Sequence, residues 1–167
     1  MAQKIINLGA KAREGVMKMA EFTPIMGTAT HNLDAKNRIF IPAKHREALG
    51  PNFVIFPNIK DSRSLVISTV EYLENLMNKI KNSEKLTGKQ KAKMIAYLNG
   101  NGDTLSPDTQ GRVVIASSLV SFTGLGGATV IHGCYDHAEI WSESVFKAVT
   151  KEEADEMAEL YEEADLI

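Results

Sequence analysis

The chain has 167 residues, 44% of them hydrophobic and 24% charged, which is ordinary for a soluble globular protein. The single cysteine, Cys134, excludes an intramolecular disulfide and favours a reducing compartment, and no apolar run approaches the length of a membrane span. The net charge of −2 is unevenly spread: residues 151–165 hold eight acids and one base, and this −7 leaves +5 for the remainder. An acidic total therefore does not exclude a nucleic-acid partner, because a local basic face decides such binding.

The first 24 residues predict an N-terminal arm, either a short amphipathic helix or a disordered segment. They contain scattered apolar residues among Lys4, Lys11, Arg13 and Lys18, without the apolar stretch of a secretory signal. We therefore expect a cytoplasmic protein. Pro24 ends any helix in this arm.

The next stretch predicts short strands around one short helix. Weak alternation in residues 26–33 is typical of an edge strand, and Pro42 stops the apolar run that begins at Arg38. Pro42 also suits the start of a short helix that Gly50 can close. Two further strands are predicted at residues 53–56 and 64–68.

Two predicted helices follow, each with a possible capping box at its start. Ser68 with Glu71 would open the first helix, and Thr87 with Gln90 would open the second. Helical spacing of apolar residues supports both, at Leu73, Leu76, Met77 and Ile80 in the first and at Met94, Ile95 and Leu98 in the second.

The second half repeats the first at a constant offset of 74 residues. LDAKNRIFIPAKHREALG at residues 33–50 recurs in weaker form within LSPDTQGRVVIASSLVSFTG at 105–124, where the offset places Asp34 on Asp108, Arg38 on Arg112 and Gly50 on Gly124. A strand at 112–115, a short helix and two strands at 128–131 and 138–141 are again predicted, with a last helix opened by Thr150 and Glu153. Each half thus predicts β-β-α-β-β-α, an α+β pattern. A unit this short is near the limit for a core of its own, so we expect one body built from both halves.

These two segments resemble the twin Asp-x-x-Gly-Arg motifs of the MraZ family, which consists of two tandem AbrB-like swapped-hairpin units. DHAEIWS at 136–142 is also similar to the end of the second unit of that family. The resemblance covers residues 25 to about 157. It implies an N-terminal arm at 1–24, a first repeat at 25–98 and a second repeat at 99–167 that includes the acidic C-terminal helix.

The resemblance implies a bacterial DNA-binding transcriptional regulator without cofactor or enzymatic activity. Members of the family form ring-shaped homo-oligomers that bind direct repeats in the promoter of the cell-division and cell-wall gene cluster. Such a protein is cytoplasmic and associated with the nucleoid. The chain departs from the family pattern at Asn37, which replaces a glycine, in the second short helix, which lacks bases, and in residues 1–25, which precede the usual start.

The motif residues suggest how DNA is bound. Aspartate side chains accept backbone hydrogen bonds in tight turns, which would hold the following arginine rigidly for phosphate oxygens or a guanine edge. We call the motif at residues 34–47 the first copy and the motif at residues 108–121 the second copy. The first copy is the predicted DNA face, since it holds four bases against two acids, whereas the second copy holds only one base against one acid. The predicted DNA-binding residues are Lys36, Arg38, Lys44, Arg46 and Arg112, with His45 among the basic neighbours, and the predicted turn-forming residues are Asp34, Asn37, Asp108 and Gly111.

Four alternatives stay open at this stage. Each Asp–Arg pair can be a salt bridge that only closes a turn. Six lysines between residues 79 and 93 can contact phosphate, although such a run is usually a solvated face. The three donors His132, Cys134 and His137 can bind zinc, although they lack a matching fourth donor and a plain turn with exposed histidines is the simpler interpretation. Finally, the chain can be a protein–protein scaffold that kept the oligomer and lost DNA binding.

Overall fold

The computed structural model describes residues 22–166. Most of the predicted N-terminal arm therefore lies outside the described residues. Within the described range the chain forms eight strands and five helices. Their order is β1 (Thr28–Leu33), β2 (Arg38–Phe40), α1 (Ala43–Leu49), β3 (Phe53–Pro57), β4 (Ser64–Ser68), α2 (Val70–Asn82), α3 (Gly88–Gly100), β5 (Asp103–Leu105), β6 (Arg112–Val114), α4 (Ser117–Thr123), β7 (Gly127–Gly133), β8 (His137–Ser142) and α5 (Glu143–Glu163).

The predicted α+β fold with two tandem β-β-α-β-β-α units is confirmed, and α3 is an additional helix of the first half. Within the described range, six strands form an antiparallel sheet in the order β1-β7-β8-β4-β3-β5, and β2 pairs with β6 in a separate ribbon. The first two strands of each half pair with strands of the other half: β1 with β7, β5 with β3, and β2 with β6. The halves are therefore interleaved and form one body.

Alternating side chains of the sheet build a core on each of its two faces. Ile55 and Ile67 belong to the larger core, which β2, β6, α1 and α4 cover. Val54 and Val66 belong to the smaller core, which the α2–α3 hairpin covers through Ile80 and Leu98. Each fully buried aliphatic side chain contributes about 1.5–3 kcal/mol by leaving water.

Helix starts show where the sequence patterns were right and wrong. The capping box of Thr87 and Gln90 is confirmed, with both reciprocal bonds present. The predicted cap at Ser68 is wrong by one residue, because Thr69 accepts the capping bond from the backbone N–H of Tyr72. The predicted start at Thr150 is also wrong: α5 begins at Glu143, and the Thr150 hydroxyl bonds to the Phe146 carbonyl within the helix.

A search of the described helices for a membrane span found none with sufficient length and apolar character.

Candidate nucleic-acid interface

The first motif is a tight turn organised by the side chain of Asp34. Its Oδ1 accepts hydrogen bonds from the backbone N–H groups of Lys36 and Arg38, both at 2.9 Å. Its Oδ2 accepts from Nε of Arg38 at 2.7 Å. The pKa of this carboxyl lies below its usual range. The largest cause is the hydrogen bond from the backbone N–H of Arg38, which outweighs the opposing effect of burial, and the Arg38 side chain lowers the pKa further. The turn therefore fixes both the backbone and the guanidinium of Arg38.

The second motif repeats this geometry, except that Nη2 of Arg112 also lies 2.9 Å from Oδ2 of Asp108. Oδ1 of Asp108 accepts from the N–H groups of Gln110 and Arg112 at 2.9 Å, and Oδ2 accepts from Nε of Arg112 at 2.9 Å. The side chains of Arg38 and Arg112 are 32% and 33% exposed, so the two side chains are almost equally exposed.

Asn37 and Gly111 occupy the same position in the two turns, and both have positive φ, 55° and 78°. Asparagine adopts this left-handed conformation more readily than most residues with a side chain. The first turn thus keeps its shape without the family glycine. The side-chain amide of Asn37 also donates to Oγ of Ser117 on α4 at 3.0 Å.

Reciprocal backbone bonds hold the two turns beside each other. The N–H of Ile41 donates to the carbonyl of Gly111, and the N–H of Ile115 donates to the carbonyl of Asn37, both at 2.9 Å. These bonds extend the pairing of β2 with β6, in which Arg38 lies opposite Val114. Both arginine-bearing turns therefore belong to one rigid unit.

The remaining predicted bases of the first copy lie close to this unit. Lys36 lies on the turn and Lys44 on α1, and both are exposed. Arg46 is more constrained, because its Nε donates to the Ile41 carbonyl at 2.9 Å and its guanidinium lies 5.7 Å from the centre of the Phe40 ring. Arg46 also packs against the α-carbon of Gly111, where an added Cβ would lie 2.8 Å from its Cζ. One basic residue of the first copy therefore supports the turn of the second copy.

His45 does not belong to this exposed basic group. It is fully buried, its Nε2 lies 3.0 Å from the Met26 carbonyl oxygen, and its Nδ1 has no partner among the described residues. Burial is the main cause that lowers the pKa of His45, so the ring is neutral at pH 7. The expectation that His45 adds to the basic face is wrong, and nothing in the sequence distinguishes it from its neighbours Lys44 and Arg46.

The lysine run lies on the other side of the sheet. It follows α2, the connection and α3, which cover the smaller core, whereas β2, β6, α1 and α4 cover the larger core. This surface, formed by Lys79, Lys81, Lys85, Lys89, Lys91 and Lys93, is therefore not an extension of the motif surface.

The β7–β8 connection holds a polar cluster different from the one expected. Nδ1 of His132 pairs with the Thr28 hydroxyl at 2.9 Å, whereas possible ligand atoms of Cys134, His137 and Glu139 lie within 4.8 Å of one another. Hydrogen bonds account for this second group. His137 Nδ1 lies 2.6 Å from an Asp136 oxygen, and Glu139 accepts from the Asn58 amide at 2.8 Å and the Trp141 ring at 2.9 Å.

His137 is only 14% exposed, so the expectation that it is an exposed turn residue is wrong. Burial by itself would lower the pKa of His137, but hydrogen bonds to Cys134, Glu139 and Asp136 outweigh burial and raise this pKa to about 10. The imidazolium therefore links the β7–β8 connection to the start of β8 at neutral pH.

We predict that this imidazolium makes stability depend on alkaline pH. A histidine whose folded pKa lies above the usual value of about 6.5 stabilises the fold fully below pH 6.5. That contribution falls as the pH rises from about 6.5 towards about 10. Chemical denaturation between these limits should show a decline that His137→Gln removes. Equal slopes for both proteins would contradict the assignment.

Comparisons with known proteins place this geometry in a family. A family model described as "MraZ protein, putative antitoxin-like" matches residues 25–86 and 99–166. A protein of Leuconostoc citreum named "Transcriptional regulator MraZ" is 30% identical over 139 residues, which cover 82% of this chain and 94% of that protein.

Two other relatives carry the same name. The protein of Leuconostoc mesenteroides subsp. mesenteroides is 32% identical with the same coverage of both chains. The protein of Mycoplasma mobile is 32% identical over 126 residues, which cover 75% of this chain and 84% of that protein. The family model matches two tandem regions, each with its Asp–Arg turn, and the relatives are similar over most of the chain. This protein chain therefore belongs to the MraZ family.

Proposed function

We propose that this chain is a sequence-specific DNA-binding transcriptional regulator that acts as a ring-shaped homo-oligomer. The observation that carries the proposal is the rigid turn that presents Arg38 together with Lys36. Within the described residues, the hydrogen bond of the Arg38 side chain uses Nε, which leaves Nη1 and Nη2 for a ligand. A fixed planar group with two donors suits a phosphate or the O6/N7 edge of guanine.

The salt bridge and the DNA contact are compatible. The Asp34 carboxylate orients the guanidinium through one edge, and the other edge stays available. A preoriented arginine also loses less conformational freedom when it binds. The turn-closing pair is therefore a positioning device for the contact that we propose.

Charge favours the first copy as the principal contact. The sequence of the first motif and its helix contains four bases, Lys36, Arg38, Lys44 and Arg46, against Asp34 and Glu47. Arg46 is the one of these bases that packs against the second turn, at Gly111. In the second copy, α4 presents Ser117 and Ser118 where α1 has Ala43 and Lys44, and Arg112 is the only base of its motif. We assign a supporting role to Arg112.

A local charge of +2 gives weak DNA binding by a single subunit, so the oligomer is essential to the proposal. Linked sites raise avidity by orders of magnitude without any new contact, provided that the spacing of the sites matches. Direct repeats in the promoter of the cell-division and cell-wall gene cluster would supply that spacing, as the family resemblance implies. The two repeats, 25–98 and 99–167, would then supply the two turns of each subunit. The protein would lie in the cytoplasm, associated with the nucleoid.

Binding to DNA from upstream of its own gene tests this function. Fluorescence anisotropy should show affinity that falls with salt, with a slope of about −0.9 in log–log form for each phosphate contact. A scrambled duplex of the same length should bind more weakly. Absence of binding at low salt would overturn the proposal and favour a protein–protein scaffold. A scaffold does not require bases on α4 or in the second turn, where this chain has serines and a nearly neutral charge.

A further inference from the structure

The distal end of α5 carries an exposed apolar stripe. Met157, Leu160 and Tyr161 follow helical spacing and are between 41% and 49% exposed. The first turn of α5 packs on the sheet. The centre of the Phe146 ring lies 5.1 Å from the centre of the His132 ring and 6.4 Å from the centre of the Trp141 ring. The helix is thus packed on the sheet at its start and exposed towards its end.

The charge of this end is unfavourable for an isolated helix. Residues 151–165 carry −7, and the last turn of α5 contains no base. Negative groups in the last turn of a helix oppose the helix dipole, and like charges along the helix repel one another. A positively charged partner would relieve this repulsion.

A groove of complementary character lies on the α2–α3 hairpin. It has a volume of about 200 Å³ and is formed by apolar side chains together with Lys93. Ile59, Met94 and Tyr97 are between 37% and 56% exposed on its walls, and Ile80 and Leu98 form its buried floor. The groove therefore offers an apolar seat for a few large side chains.

The hairpin around this groove has the opposite charge to the end of α5. Residues 70–100 hold six lysines against three acids, Glu71, Glu74 and Glu84, which gives +3. An acidic helix with an apolar stripe thus matches a lysine-rich hairpin with an apolar groove, in both charge and hydrophobicity.

We propose that the end of α5 of one copy docks into the groove between α2 and α3 of the next copy. Within one chain, α5 packs on β7 and β8, whereas α2 and α3 both pack on β3, which lies beyond β4 in the sheet. Each copy presents one of each surface, so the contact is head-to-tail, and repetition closes a ring when the rotation between copies allows it. This inference rests on the homo-oligomer of the proposed function and names its interface.

Mixed disulfide formation tests the contact directly. Two proteins are prepared in a Cys134→Ser background, one with Met94→Cys and the other with Tyr161→Cys. Oxidation of the mixture should link the two proteins, because docking would bring the two Cα atoms within the range of a disulfide, about 4.4–6.8 Å. Neither protein should form links to itself. A mixture of Phe122→Cys and Tyr161→Cys is the matched control, because Phe122 is a similarly exposed apolar residue on α4.

Two results would overturn the proposal. One is a mixture that forms no more linked product than the Phe122 control. The other is a chain with both substitutions that forms its disulfide within a monomer, which would place α5 on its own hairpin. The assay contains no DNA, so its failure is distinguishable from failure of the regulator function, which the salt series measures separately.

Discussion

Arg38→Ala should lower affinity for the promoter DNA by about 10- to 100-fold. A well-placed arginine contact is worth about 1–3 kcal/mol, and each 1.4 kcal/mol corresponds to a factor of ten. The salt dependence should also become less steep, by about 0.9 for each phosphate that the variant no longer neutralises. Fluorescence anisotropy over a salt series measures both quantities. If several subunits engage one operator, as proposed above, the measured loss should be at the upper end of this range.

Arg112→Ala is the matched control for that experiment. Both arginines bond through Nε to an aspartate and have nearly equal exposure, so both substitutions should change thermal stability to a similar, small extent. Any difference in DNA affinity then reports the contact and not the fold. We expect Arg112→Ala to lose only a few-fold in affinity, because its own turn contains no further base, whereas Lys36 accompanies Arg38 in the first turn.

Equal losses for the two variants would show that both turns contact DNA to the same extent, against the assignment of the first copy. If Arg38→Ala binds as tightly as the unaltered protein, Arg38 is a turn-closing residue only. The lysines of the α2–α3 hairpin would then be the next surface to substitute.

Gly111→Val should lower the free energy of unfolding by about 2–5 kcal/mol. A β-branched residue at φ of 78° is strained by about 1–2 kcal/mol, and an added Cβ would lie 2.8 Å from Cζ of Arg46. Overpacking of this kind costs about 1–3 kcal/mol more. Arg46 cannot withdraw freely, because it donates to the Ile41 carbonyl. Denaturant titration measures the loss.

Gly124→Val separates the two causes. Gly124 also has positive φ, 70°, but a Cβ there would meet nothing within 4 Å. It should therefore show the conformational cost alone, about 1–2 kcal/mol. Similar losses at both positions would mean that Arg46 yields without cost, and that the contact between the two motifs contributes little to stability.

Much of the fold could be predicted because its signals are local and occur twice. Strands β3 and β4 are apolar runs bounded by turn residues, and Gly50 closes α1 as expected. The offset of 74 residues gave the second unit from the first. Exchange of strands between the halves came only from the family resemblance, because no spacing within either half indicates whether β1 pairs with β3 or with β7.

The errors have physical reasons in particular residues. Ser142 caps α5 without a side-chain hydrogen bond, so the true start carries no capping box, whereas Thr150 and Glu153 mimic one inside the helix. The carboxylates that pair with His137 are close to it in sequence, but its burial depends on distant residues: β4 pairs with β8, and the Tyr72 ring centre lies 5.2 Å from the imidazole centre. The packing of Arg46 against Gly111 was also not predictable, since it connects residues of different halves.

The reciprocal bonds between the two turns have a consequence for how this architecture can change. When two identical subunits pair through such turns, every substitution appears on both sides of the axis. Here the two partners are joined in one polypeptide, so one half can keep its basic residues while the other half becomes neutral, as Lys44 and Ser118 illustrate. Joining the two halves in one chain thus removes the requirement that both turns be identical. One half can then specialise in recognition, and the other half can specialise in holding the first half in place.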